Sequence, residues 1–491
     1  MADKMDYGYQ MKGNDEAGIT IEQFSTKLKN CADVLIHHVE LPDYIDLTAT
    51  LYYCEGMVDA GMFHLGLLPI LQKTENSRET IPSSQTTEEV ERHSPNKKFM
   101  KVDSADVNHL FCRLFSGSVI ITFSDDSSFY EYNISNQPSR SPEESAMELS
   151  LKGPRDGFIE QLSINIALVR KRLLTPKLHV EYFKIGSETQ TGVALMHMSD
   201  EAPSEVVEEA KRRLKAIHIT SLNGAGELEE LLSDQPYALF PLLEYIGRPD
   251  YVVQSLMKGR FAVLVDGSPA ALIGPGNLLL LIKSPEDAHL PFYYVSLERL
   301  LRLLGLLLAL FLPGFWIALS SFNQDQIPYS LLATVSISRI GLPLSATMEM
   351  FLMLTLFEVF REAGVRLPRP VGQTVSVVGG LIIGDAAIRA GLTSPTMLVV
   401  AAVAAVSTFT LVNQSLAGSV SIFRFAILLC ASFFGMYGFI IGMFALMIYL
   451  CSLESFGQSY MQPLAPLHFK DLANALLQKP WKLEANRRKK Q

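Results

Sequence analysis

Four ionisable residues sit inside apolar, helix-length stretches in the second half of this chain: Glu349, Glu358, Asp385 and Arg389. A charged side chain in hydrocarbon costs several kcal/mol unless it faces protein or water. Retaining four implies a water-lined pathway or pairing inside a helical bundle. Asp385 and Arg389 are four apart and so share a helix face, as a neutralised pair or as part of a charged ring. Glu358 either pairs with Arg361 or caps the loop after it. Glu349 lies deeper and has no partner by spacing, which makes it the better functional candidate. Val377–Gly384 reads VVGGLIIG and places Gly380 and Gly384 on one face. Small faces let helices approach closely. That face is either tight packing within one chain or a pore wall, in which Gly379 and Gly380 adjoin Leu381 as a dewetting constriction. Asn413-Gln414 offers interhelical hydrogen bonds or a polar pore lining.

Catalytic chemistry finds no footing. There is no P-loop, G-x-S-x-G, H-E-x-x-H or paired C-x-x-C, so no enzyme activity, cofactor or metal is expected. The cysteines (Cys31, Cys54, Cys112, Cys430, Cys451) lack metal or disulfide spacing and read as reduced thiols. The basic run Lys211–Lys215 reads as a solvated helix face, and no nucleic-acid partner is expected. The formal net charge of −9 averages unlike regions and says little about partners.

The elements that must hold these residues fall into two halves. Residues 1–290 have soluble composition, and residues 301–453 are dominated by apolar runs. Leu303–Gln324, Thr396–Phe423 and Phe425–Leu453 carry no charge, and each is long enough to cross a core of about 30 Å. The expected organisation is an N-terminal subdomain over 1–140 with a polar loop near 78–100, and a second subdomain over 141–290. A membrane domain over 291–455 follows, with helices at 301–322, 343–360, 371–390, 396–418 and 425–450, and then a basic tail over 456–491. The first residues are acidic and polar, unlike a signal peptide. Arg361, Arg366, Arg369 and the basic tail favour the cytoplasm. A cytoplasmic N-terminal region and tail require an even number of crossings, whereas five apolar helices are counted. One segment is therefore expected to be re-entrant or interfacial.

The soluble part reads as α/β or α+β. A helix–Gly–strand–turn–strand unit ending at Phe129–Ile134 recurs around Arg260–Val265, Asp266-Gly267 and Ala270–Ile273. This suggests a related pair of subdomains, although two common hairpins would look alike. A helix is expected over Phe158–Leu174 with Asp156 as N-cap, strands at His179–Ile185 and Gly192–Met198, and a helix opened by Pro203.

Several blocks resemble the A subunit of the nutrient-germinant receptors of endospore-forming bacteria. They include Lys152-Gly153-Pro154-Arg155-Asp156-Gly157-Phe158, Arg248-Pro-Asp250, Val265-Asp266-Gly267-Ser-Pro269, Ser284-Pro-Glu-Asp287 and Leu312-Pro-Gly314. Arg361-Glu362-Ala-Gly-Val-Arg366-Leu-Pro368, Gly372-Gln-Thr374, Ile383-Gly384 and Ser455-Phe-Gly457 continue the series. The resemblance implies a two-subdomain cytoplasmic region and a multi-pass domain in the spore inner membrane. It also implies homo-oligomerisation into a ring that gates monovalent cation release, and work beside a transporter-like B subunit and a lipoprotein C subunit. Departures bear on ion selectivity: Asp385 and Arg389 stand where the family usually has Gln and Glu, Asn323 where it has His, and Leu354 where it has an acid. A secondary transporter usually shows internal membrane repeats, and none is visible here. A mere membrane-anchored scaffold would not need glycine-rich, charged helices.

Overall fold

The computed structural model describes residues 19–40, 48–72, 99–102, 107–138, 152–366, 384–467 and 469–480. They form two compact units. The first comprises residues 1–149, 154–228 and 246–273; the second comprises 150–153, 229–245 and 274–491.

The first unit holds two lobes. In the first lobe, α1 (Ile21–Leu28) opens on a capping box in which Thr20 Oγ accepts Gln23 N–H and the Gln23 side chain returns to Thr20 N–H. Strands β1 (Val34–Glu40), β2 (Thr48–Cys54), β3 (Met100–Val102), β4 (Ser118–Phe123) and β5 (Asp126–Asn133) form an antiparallel sheet ordered β1-β2-β4-β5-β3. The apolar run of β4 needs cover on both faces. Ile120 packs under α1 and α2 (Val107–Phe115) with Phe24, Phe111 and Phe115. Val119 and Ile121 point the other way, onto Phe63 and Leu67 of the helical stretch over 60–72.

The second lobe has α3 (Leu162–Arg170), β6 (Leu178–Ile185), β7 (Thr191–Met198), α4 (Ser204–Ala216), β8 (Glu244–Ile246), α5 (Pro249–Leu256), β9 (Phe261–Val265) and β10 (Ala271–Gly274), in sheet order β6-β7-β9-β10-β8. Both lobes thus order their strands first, second, fourth, fifth, third. The recurring sequence unit belongs to a repeated fold. Gly117 (φ +100°) and Gly259 (φ +78°) occupy matching turns after α2 and α5, where a side chain would be strained. Pro203 opens α4 as expected, with Val206, Val207, Ala210 and Leu214 buried.

The helix expected over Phe158–Leu174 is shorter, and Asp156 does not cap it. Asp156 instead grips Arg172 at 2.5 and 2.7 Å. The cap comes from far along the chain, because Asp266 Oδ1 accepts Leu162 N–H at 3.0 Å. Beside it Gly267 (φ +80°) donates its N–H to Glu160 O at 2.7 Å.

A buried ion pair joins the lobes. Arg170 Nε and Nη2 donate to Asp33 Oδ2 and Oδ1 at 2.7 and 2.6 Å, and both residues are 0 % exposed. Arg170 also donates to Thr175 O and Leu178 O and lies 4.3 Å over the Phe115 ring. Burial pushes the Cys31 thiol beside this pair up to about 11 and the Cys54 thiol well above its usual value. Neither is poised as a reactive thiolate.

His197 on β7 is 6 % exposed. It lies edge-on to His179 at 5.2 Å and 4.0 Å from Glu181, which Lys211 holds at 2.6 Å. Burial, and then the charges of His179 and Lys211, lower it to about 4. A histidine with a depressed folded pKa contributes stability that is complete above its unfolded pKa and declines as pH falls through the window down to the folded value. Urea unfolding followed between pH 7 and pH 4 is therefore expected to lose up to about 3 kcal/mol, and His197→Leu is expected to flatten that slope.

In the second unit, α6 (Phe292–Ile317) continues as a π-helical turn to Phe322. It is followed by α7 (Tyr329–Ser338), α8 (Ala346–Arg366), a helical turn over 384–389, α9 (Pro395–Phe409) and α10 (Gln414–Ser452). Two stretches, Phe292–Phe322 and Gln414–Ser452, are long and apolar enough to cross a membrane by length and composition.

α10 is not straight. It reverses at Gly435 (φ 60°, ψ −137°), backbone that favours glycine. The Phe423 and Tyr449 rings lie 5.5 Å apart, although a straight helix would separate them by about 39 Å. The expected helices at 396–418 and 425–450 are therefore redrawn: the first breaks after Phe409, and the second begins at Gln414 and doubles back. The two expected spans thus become α9 and two legs of α10. Phe322 packs on Gly435 at the turn end of the hairpin. At the other end Ser455 Oγ bridges Gly276 N–H and Leu242 O, and Leu278 N–H donates to Tyr460 O. The chain thus enters and leaves the bundle at one end.

Candidate functional site

α8 carries two polar knots, a buried one at Glu349 and a partly buried one at Glu358. Glu349 is 0 % exposed. Its Oε2 accepts the N–H of Ser394 at 2.9 Å, and Ser394 is the N-cap of α9. An anion at the positive end of a helix is favourable. Arg339 Nε stands 3.4 Å from Oε1, a loose ion pair. Within this chain Glu349 therefore staples α9 to α8 and does not face water. Glu349→Ala is expected to lower the stability of the detergent-solubilised chain by about 1–3 kcal/mol, since it orphans a buried N–H. Glu349→Gln retains an acceptor, so thermal unfolding is expected to rank it between alanine and the native residue.

The second knot is larger. Glu358 pairs with Arg361, as the three-residue spacing allows, and its Oε2 also accepts Arg424 Nη2 at 2.9 Å and Ser421 Oγ at 3.3 Å. Arg424 is 1 % exposed, and its Nη1 reaches Thr408 Oγ1 at 3.2 Å. Arg361 Nη1 donates to Ser421 Oγ and Ala417 O. Three helices, α8, α9 and α10, are tied through Arg424, which reaches Glu358 on α8 and Thr408 on α9. Sequence reasoning missed Arg424, because it stood only as the boundary between two uncharged runs. A lone arginine with about 20 apolar neighbours on each side was itself the signal. Glu358 and Glu362 line a groove of about 670 Å³ with Phe351, Thr355, Val359, Ala363 and Phe425.

Asp385 and Arg389 form an ion pair at 2.8 Å, with side chains 59 % and 78 % exposed. Gly384 lets that turn approach α9: a Cβ there would come within 3.2 Å of Leu398. Gly379, Gly380, Leu381 and Pro368 lie outside the described residues, as does the side chain of Arg366. Pro154 and Arg155 belong to the first unit and Gly153 to the second. Among the described residues, Glu349 and Glu358 hold separate polar contacts on α8, and Asp385 and Arg389 pair with each other. Among the described residues no cluster of His, Cys, Asp and Glu suits a metal.

Such a chain is a membrane-associated protein with a duplicated α+β region and a helical bundle knotted by buried charge. Residues 22–490 match the family described as Bacillus/Clostridium GerA spore germination protein, and the chain belongs to that family. It is similar to spore germination protein XA of Bacillus anthracis, 40 % identical over 463 residues that cover 92 % of each chain. It is also similar to spore germination protein KA of Bacillus subtilis (strain 168), 34 % identical over 461 residues covering 94 % of this chain and 84 % of that one. The crystal structure of the N-terminal domain of the A subunit of the Bacillus megaterium spore germinant receptor GerK3 aligns with 53 % of this chain and 97 % of that one, at 26 % identity and a TM-score of 0.38.

Proposed function

We propose that this chain is the A subunit of a germinant receptor that oligomerises, with its N-terminal region cytoplasmic, into a nutrient-gated conduit for monovalent cations in the spore inner membrane. A transporter-like B subunit and a lipoprotein C subunit work beside it. The observation that carries this reading is the Glu358–Arg424–Arg361 knot. It fixes ionised groups inside apolar helices at a cost that simple anchoring does not require. The exposed Asp385–Arg389 pair supports it, because charges on the outside of a membrane helix are economical only against water or a neighbouring subunit. The glycines and Leu381 of the adjoining stretch are the proposed constriction. Reconstitution of the purified chain in planar bilayers, with and without its B and C partners, tests the reading. Unitary cation currents altered by Leu381→Ala are expected. A silent bilayer containing correctly inserted chain and partners argues against the conduit.

A further inference from the structure

Four stretches of the second unit meet at the foot of α6. Pro285–Ala288 is a 3-10 turn capped by Ser284. Asp287, 4 % exposed, accepts Arg299 Nε at 2.7 Å and Arg302 Nη1 at 2.9 Å. Arg299 Nη1 passes on to Ala475 O at 3.1 Å, in the last turn of α11 (Phe469–Leu476). Gln478 N–H donates to Ser296 Oγ at 3.0 Å. On the other side of the turn, Glu286 accepts Lys152 N–H at 3.1 Å. Gly153 (φ +117°) presses on His289 there, where a Cβ would come within 2.5 Å of the ring.

The two ends of this chain of contacts are held unequally. Asp287 is buried and takes two charge-assisted bonds, which are the strong kind. α11 has no buried residue, only partly buried Leu472, Ala475 and Leu476 against the core, and Phe469 is 76 % exposed. An element with few buried contacts opens at low cost.

We propose that Asp287 is the positioning residue of a releasable clamp. In the resting chain it aims Arg299 at the carbonyl end of α11, so that α11 stays on the foot of α6. A shift of the turn, which carries Lys152–Gly153 on its other side, lets α11 go. Pro154, with which the first unit resumes, follows Lys152–Gly153 directly in the chain, and a pull on that connection is the proposed trigger. This role in signalling rests on the receptor reading above.

Asp287→Asn keeps the shape and one acceptor but removes the shared charge. Hydrogen exchange on the purified full chain is expected to quicken about tenfold over residues 470–478; unchanged exchange overturns the clamp whether or not the receptor reading stands. In spores with wild-type amounts of the chain, Asp287→Asn is expected to raise nutrient-independent germination about tenfold, and an unchanged background overturns the signalling role. If the variant fails to accumulate, a Ser296→Cys/Gln478→Cys pair decides. Oxidation is expected to arrest the nutrient response and dithiothreitol to restore it, while a complete crosslink with a normal response overturns the proposal. Intact nutrient germination after deletion of the whole chain would remove the receptor reading and the signalling role together, leaving the exchange result to stand or fall alone.

Discussion

Alanine at Asp33, or at Arg170, is expected to destabilise the first unit by about 3–5 kcal/mol, because each leaves the other charge buried and unpaired. That is a large share of the roughly 5–15 kcal/mol that holds a typical domain together. Both side chains are fully enclosed, so no water replaces the lost partner. Arg170 would also be left with its bonds to Thr175 O and Leu178 O, which do not balance its charge. An apolar pair, Asp33→Leu with Arg170→Met, is expected to recover most of the loss, since well-packed hydrophobic residues often match a buried ion pair. Urea unfolding of the purified chain, with proteolysis as a second probe, measures all three variants. Single variants within about 1 kcal/mol of the parent would show that the pair is not what joins the lobes.

Arg424→Leu is expected to destabilise the bundle by about 1–3 kcal/mol, the cost of removing a buried charged hydrogen-bond partner. It deprives Thr408 and Glu358 of a shared donor and leaves Glu358 to Arg361 alone. Arg424→Lys should not rescue it. Nη1 and Nη2 reach residues on α9 and α8 together, and one ammonium cannot reproduce that fork. Arg389→Leu supplies the contrast. Its ion pair is exposed on both sides, so about 0–1 kcal/mol is expected. Thermal unfolding in detergent, with the amount of chain in the membrane fraction, separates the two. Equal effects at Arg424 and Arg389 would contradict the burial on which the argument stands.

The sequence alone carried the division into a soluble and an apolar half. It carried the repeated helix–strand–turn–strand unit, the buried stripe of α4, the Glu358–Arg361 and Asp385–Arg389 spacings, and the family. These are local quantities: composition, periodicity and residues a helical turn apart leave their mark within a short window. Tertiary structure decided what depends on distant chain. Asp266 caps a helix that begins at Leu162, Asp33 meets Arg170, and Arg424 turns from a boundary marker into the tie between three helices. The reversal at Gly435 was hidden for a further reason. A turn made in apolar surroundings needs no polar residues, so an uncharged run reads the same whether it crosses once or folds back, and only the contact of Phe423 with Tyr449 tells the two apart.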